Sequence, residues 1–231
     1  MGKTDIYDLS VEWDKRDEGS DELLDAVPTE LIEEGDVLYQ QGNKPVEFSL
    51  VRHGKVEVAK QAPDGSKSIL EILGPGEPVG AMAVINNFPY PATVKALQDT
   101  IVYRFSADLV EDIQQQAPIW WSDCLGTAAE RITDLADRLE SINTQDIAQR
   151  LSAQLCDLAE DYGKRNDGIK IDTKLTRQML ADMIGCRVES AIRKMSEWEK
   201  KGIIQTEESF ITLKKPQKLY SLADRSPPQD F

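Results

Sequence analysis

Histidine is almost missing from this 231-residue chain, and His53 is its single example. One imidazole removes most zinc sites and every catalytic scheme built on two histidines. Cysteine is scarce as well. Cys124, Cys156 and Cys186 form no CxxC pair and no disulfide framework, which suits a reducing compartment. No apolar run approaches the roughly 18–20 residues of a membrane span. The opening MGKTDIYDLS has neither a basic n-region nor an apolar h-region. The expectation is therefore a cytoplasmic protein with no membrane partner. There is no P-loop, no GxSxG elbow and no GxGxxG after a strand, so the chain reads as a non-enzyme. A carboxylate dyad is the one catalytic route its many acids leave open.

What is present is a core and a large excess of acid. Hydrophobic residues make up 40% and charged residues 29%, enough to pack a core. The 41 acidic and 27 basic residues give a net charge of −14, which taken alone argues against nucleic acid. The distribution overturns that average. Across Arg150–Lys215 there are 13 basic and 11 acidic residues, leaving 14 basic and 30 acidic elsewhere. Within Lys174–Lys201 the count is 7 against 4. Only the C-terminal part is suited to face DNA.

The patterning falls into successive stretches. Residues 1–27 form an acidic arm with Ile6, Leu9 and Trp13 as its only anchors. Over 28–116 short β-rich runs alternate with turn signals: DVLYQ (36–40), EFSLVRHG (47–54), KVEVAKQ (55–61), SILEIL (68–73), TVKAL (93–97) and TIVYRF (100–105). Short strands at this spacing predict a β-barrel or sandwich. Beyond Ser106 the period becomes helical, and over 117–143 Trp121, Leu125, Ala128, Ile132, Leu135, Leu139 and Ile142 recur at alternating steps of 4 and 3. That is a heptad seam. A helix packed on its own domain would show a wider stripe, so the pattern favours self-association.

Residues 144–216 predict a compact DNA-binding domain. A helix over about 144–162 carries Ile147, Leu151, Leu155 and Leu158 on one face, followed by a turn GKRNDG (163–168) and a strand IKI (169–171). Two short helices, about 177–184 and 187–200, join through Gly185-Cys186; strands over 202–206 and 209–214 then enclose a Glu-Glu turn. The tail is assigned to 217–231, and its end, SLADRSPPQDF (221–231), is expected to be loose. In the helix pair Leu180, Ala181 and Ile184 face a core, Val188, Ala191, Ile192 and Met195 continue the packing, and Gly185 supplies the turn. Arg187, Glu189, Ser190 and Arg193 then project outward. Glu189 and Arg193 share a face, and that pair suits a major-groove edge, the arginine donating to guanine and the glutamate accepting from cytosine. Thr176, Arg177 and Gln178 sit at a helix start, where hydroxyl and N–H groups can hold phosphate. A solvated Glu189–Arg193 salt bridge on an amphipathic hairpin is the plainer alternative. The β pair after Gly202, a wing in form, weighs against it.

Three blocks then resemble the Crp-Fnr family of bacterial transcription regulators, named for the cyclic-AMP receptor protein and the fumarate-nitrate reductase regulator. They are EEGDVLYQQGNKPVEFSLVRHGKVEV (33–58), ILGPGEPVGAMAVINNFPYPATVKALQDTIVYRF (72–105) and LTRQMLADMIGCRVESAIRKM (175–195). The resemblance covers about 28–215 and implies an α+β chain: an N-terminal jelly-roll (a double-stranded β-helix of the cyclic-nucleotide-binding type), a long dimerisation helix and a C-terminal winged helix-turn-helix. It further implies a homodimer on a palindromic double-stranded DNA site, half-sites with a TGA-type core, and RNA polymerase as a partner. The family's glutamate and, four residues later, arginine fall on Glu189 and Arg193. Val188 resembles the Fnr branch, whereas Ile192 departs from that branch's small polar residue.

The same resemblance implies an effector cassette at Gly80-Ala81-Met82 and Tyr90-Pro91-Ala92, with Trp121 nearby. Cyclic-nucleotide members carry a GE(L/F) turn and a downstream R(S/T)A; here the glutamate has become Ala81, the arginine Tyr90 and the hydroxyl residue Pro91. A buried phosphate with no cation would cost several kcal/mol, so cyclic AMP is not expected. Residues 1–123 lack the cysteine cluster of an iron–sulfur centre. The effector is thus left unknown: a small molecule or redox signal other than cyclic AMP, haem on His53, or none at all if the β-roll is vestigial. His53 reads as an exposed turn residue rather than a haem ligand, and Cys186 as packing in the helix-turn-helix turn rather than a redox sensor.

Overall fold

The computed structural model describes residues 27–108, 126, 133 and 135–228. The chain divides into two compact units, Met1–Thr133 and Asp134–Phe231.

In the first unit, eight strands form two four-stranded antiparallel sheets. β1 (Thr29–Ile32), β3 (Glu47–His53), β6 (Pro78–Val79) and β8 (Thr100–Ser106) make one, in the order β1-β8-β3-β6. β2 (Val37–Tyr39), β4 (Val56–Gln61), β5 (Lys67–Leu73) and β7 (Thr93–Ala96) make the other, in the order β2-β7-β4-β5. Apart from the β4–β5 hairpin every neighbouring pair is non-sequential, the mark of a jelly roll. β3 lies between β8 and β6, and its run Phe48–Val51 is buried without alternation, as an interior strand requires. Val51, Val56, Val94 and Val102 fill one cluster between the sheets; Phe48 and Phe105, stacked 4.8 Å apart, fill another with Leu50 and Val84. One short helix, α1 (Ala81–Ile85), interrupts the roll.

The six strands expected from the β-rich runs are present. β1 and β6 were not expected: β1 buries only Ile32 of TELI, and β6 is two residues long. The acidic arm up to residue 26 and the segment carrying Trp121, Leu125, Ala128 and Ile132 lie outside the described residues, as does Cys124.

The second unit opens with helical residues 135–144 and then α2 (Ile147–Tyr162). α2 starts later than the pattern suggested because Asp146, not Thr144, is the N-cap. Its carboxylate accepts the Gln149 N–H at 2.8 Å, and Gln149 Oε1 accepts the Asp146 N–H at 3.0 Å, a reciprocal capping box. Leu151, Leu155 and Leu158 are buried at helical spacing. α3 (Arg177–Ile184) and α4 (Val188–Lys200) form the helix-turn-helix. A sheet in the order β11-β12-β10-β9 completes the unit, with β9 at Gly163–Asn166, β10 at Gly168–Ile171, β11 at Ile204–Glu207 and β12 at Phe210–Leu213.

Two expectations fail here. GKRNDG is not a turn: Gly163–Asn166 is strand β9, paired with β10 around Asp167. Nor does the tail assigned to 217–231 stand apart from the unit at its start. Pro216–Leu222 is helix α5, started by a proline in its first turn, with Leu219 and Tyr220 fully buried. Tyr220 donates to Glu160 on α2 at 2.9 Å, and Arg225 pairs with Asp157 and Glu160. Among the described residues no helix is long and apolar enough to cross a membrane.

Candidate nucleic-acid interface

The interface is set by how α4 is held. Thr176 caps α3 by accepting the Met179 N–H at 3.1 Å. α3 ends at Gly185, whose φ of 62° puts the chain in the left-handed region that glycine occupies at no steric cost. The N–H groups of Gly185 and Cys186 both return to the Ala181 carbonyl, and Arg150 of α2 donates to the Ile184 carbonyl at 2.7 Å. The turn is therefore fixed from three sides, and α4 leaves it at a defined angle. Ala181, Ala191 and Met195 are fully buried, which lets the two helices cross closely.

With that face inward, Arg187, Glu189 and Arg193 are exposed, and Ser190 is half-buried. Among the described residues, no ion pair or side-chain hydrogen bond engages Glu189 or Arg193. The solvated salt bridge considered from sequence does not form, and both groups are free to meet base edges. Ile192, expected to pack, is instead 44% exposed. The buried stripe of α4 runs through Ala191, Met195 and Trp198, and Ile192 falls beside it rather than on it.

Arg177 also departs from expectation. Its guanidinium turns inward, donating to Glu199 at 2.6 Å, to the Thr206 hydroxyl at 3.1 Å and to the Met195 sulfur at 3.1 Å. It joins the start of α3 to the end of α4 and to β11, a clamp inside the unit. Thr176 and Gln178 remain exposed at the helix start, Gln178 donating to Asp182 at 2.7 Å. Nearby, Lys201 and Lys194 donate to Glu197 at 2.6 and 2.9 Å and hold its carboxyl at about 2. Burial raises the Cys186 thiol above its ordinary value, only partly offset by the charge of Arg150. Cys156, enclosed in α2, is pushed up to about 12 by burial.

In the first unit the cassette is closed on itself. Tyr90 is 5% exposed and its ring stacks on Tyr39, centroids 4.4 Å apart at an interplanar angle of 19°. Tyr90 donates to the Glu47 carbonyl, while Tyr39 and Ser49 share a buried hydrogen bond of 2.7 Å. Burial raises both phenols, Tyr39 far above the usual range. Gly80, at φ 81°, lies so near that an added Cβ would come within 3.1 Å of each ring. Arg104 lies 5.9 Å from the Tyr39 ring but is committed to Glu30 and Glu47. Ala81 and Ala92 are buried, whereas Met82 and Pro91 face outward, so the six cassette residues do not line one surface. Tyr39, which the sequence reading missed, is the residue that organises them. His53 is exposed at the end of β3, and among the described residues no three His, Cys, Asp or Glu side chains gather as a metal site. Of the expected dimer seam, Leu135, Leu139 and Ile142 are described and are 41%, 66% and 50% exposed.

A jelly roll followed by a winged helix-turn-helix with a free recognition face defines a DNA-binding regulator with an effector-type domain. A family model described as cyclic nucleotide-binding domain matches residues 29–117, and one described as Crp-like helix-turn-helix domain matches 149–222. The chain belongs to the Crp-Fnr family of DNA-binding transcription regulators. The CRP-like cAMP-activated global transcriptional regulator of Mycobacterium tuberculosis is 20% identical over 186 residues, 80% of this chain and 83% of its own length. The anaerobic regulatory protein of Bacillus subtilis is 26% identical over 191 residues, 81% and 80% of the two chains. In fold, FixK2 from Bradyrhizobium japonicum superposes with a TM-score of 0.75 at 16% identity, covering 88% of this chain and 99% of that one.

Proposed function

We propose that this regulator binds a palindromic DNA site as a homodimer, one α4 entering each half-site, under an effector other than cyclic AMP. The observation that carries the reading is the uncommitted pair Glu189 and Arg193 on the exposed face of a firmly held helix. Thr176, Gln178, Arg187 and Ser190 supply backbone contacts; Arg177 positions α4 from inside. Leu135, Leu139 and Ile142, exposed in the single chain, continue the heptad seam of Leu125, Ala128 and Ile132, and a second copy covers them. RNA polymerase is the downstream partner. The working division is a β-roll over 28–116, a dimerisation helix over 117–143 and a DNA-binding domain from 144 that extends through α5.

The Tyr39–Tyr90 stack favours a second reading of control, in which the β-roll is a structural body and DNA binding needs no effector. Either way the stack, and the commitment of the neighbouring Arg104 to Glu30 and Glu47, argue against a cyclic nucleotide.

Selection from a random duplex library at fixed salt, with no ligand added, tests both points. Recovery of a palindrome with half-site centres about one helical turn apart supports the dimeric regulator, and its recovery without ligand favours the second reading. Arg193→Ala should then weaken binding to the selected site by about 1–3 kcal/mol while leaving random-sequence binding unchanged. Equal losses on both DNAs would overturn the base-reading role.

A further inference from the structure

Ile192 is the residue on the exposed face of α4 that neither the core nor the charged pair explains. It follows Glu189 by three residues, so the two share a side of the helix in its N-terminal half. It is 44% exposed while its neighbour Ala191 is fully buried, so it lies off the stripe that packs on α3. An isolated exposed aliphatic residue needs no explanation on most surfaces. This one is flanked by Glu189, Ser190 and Arg193 on the face proposed to enter the major groove. In that groove every base edge presents hydrogen-bonding atoms, and the one apolar group on offer is the C5 methyl of thymine. A β-branched aliphatic side chain has nothing to gain from a polar edge and would desolvate it without return.

We propose that Ile192 is a specificity-determining residue that reads the 5-methyl group of a thymine beside the base pairs engaged by Glu189 and Arg193. The proposal rests on the DNA-reading role of α4. The contact is van der Waals packing and exclusion of water. It therefore discriminates thymine from cytosine and from uracil, bases that lack the methyl. A methyl group removed from water contributes about 0.8 kcal/mol, which corresponds to about fourfold in affinity per half-site and about fifteenfold for a symmetric pair.

The test is a uracil scan of the selected palindrome with the full-length protein. Each thymine is replaced in turn by deoxyuridine, symmetrically in both half-sites, and affinity is read by fluorescence anisotropy at one salt concentration. The wild-type protein should lose about ten- to twentyfold at one thymine position. Ile192→Ser should bind the thymine and uracil sites at that position equally, while Ile192→Val keeps part of the discrimination. An exposed Ile192→Ser should leave the thermal melt unchanged, so a folding defect is separately visible.

A flat scan for the wild type, a site with no thymine in either half, or the same uracil penalty in Ile192→Ser would overturn the proposal. Retained sensitivity to Arg193→Ala alongside a flat scan would refute the methyl contact alone. Failure to select any site would remove the DNA-reading role together with it.

Discussion

The β-roll and the winged unit treat their functional positions in opposite ways. At the cassette, side chains turn inward and satisfy one another: Tyr90 stacks on Tyr39, bonds to the Glu47 carbonyl and leaves Gly80 no room for a methyl group. On α4, Glu189 and Arg193 turn outward and find no partner among the described residues, because the small, buried Ala181 and Ala191 draw the other face of the helix into the core. The difference separates two uses of polar residues. Satisfied and buried, they add rigidity; left unpaired at the surface of a rigid helix, they are available to a ligand at little reorganisation cost.

The comparison can be broken or sharpened by substitution. The largest effect is expected in the roll. Tyr90→Ala empties half of the stack and should cost about 3–5 kcal/mol of stability, read by urea unfolding. A loss under about 1 kcal/mol would mean that the ring is not part of the packed interior. Arg177→Ala comes next. It leaves Glu199 without its partner and should cost about 2 kcal/mol in the winged unit. Its binding loss should be equal on selected and random DNA, because the clamp positions α4 as a whole. A loss confined to the selected site would return Arg177 to the base-reading set.

The smallest effect concerns Cys186. Its raised thiol is protonated at neutral pH, since the thiolate forms only as pH climbs toward the elevated value. Alkylation by iodoacetamide should be slow at pH 7 and accelerate with pH well past the point where a free thiol has levelled off. Fast reaction at pH 7 would restore the redox reading of that turn.

Where residues bury on a regular period, the sequence was sufficient. The six strands read from β-rich runs between turn signals, the α3–Gly185–α4 turn and the buried face of α2 all follow from spacing, turn and capping residues that act locally. The losses occurred where a choice depends on a distant partner. That Tyr90 replaces an arginine is visible in the sequence, but that Tyr39, some fifty residues earlier, supplies the stacking face is not. Arg177 looks like a phosphate contact until Glu199 and Thr206 are placed beside it. Ile192 was assigned to the core by composition, although the helical wheel puts it at the margin, where only the packing of α3 decides its exposure. β9 was hidden by GKRNDG, whose turn chemistry is concentrated at Asp167 and Gly168 alone. α5 carried a usable signal in Pro216, but its seven residues owe their helix to Leu219 and Tyr220 meeting α2.

That last helix has a consequence for how the protein is made. Leu219 and Tyr220 of α5 are buried, and Tyr220 is tied to Glu160 about sixty positions earlier in synthesis. The winged unit cannot close until residues 216–222 have emerged from the ribosome, whereas the β-roll is free to fold while the rest is still being translated. A nascent chain therefore carries a finished roll and an unfinished DNA-reading surface, and operator occupancy begins only with chains translated past α5.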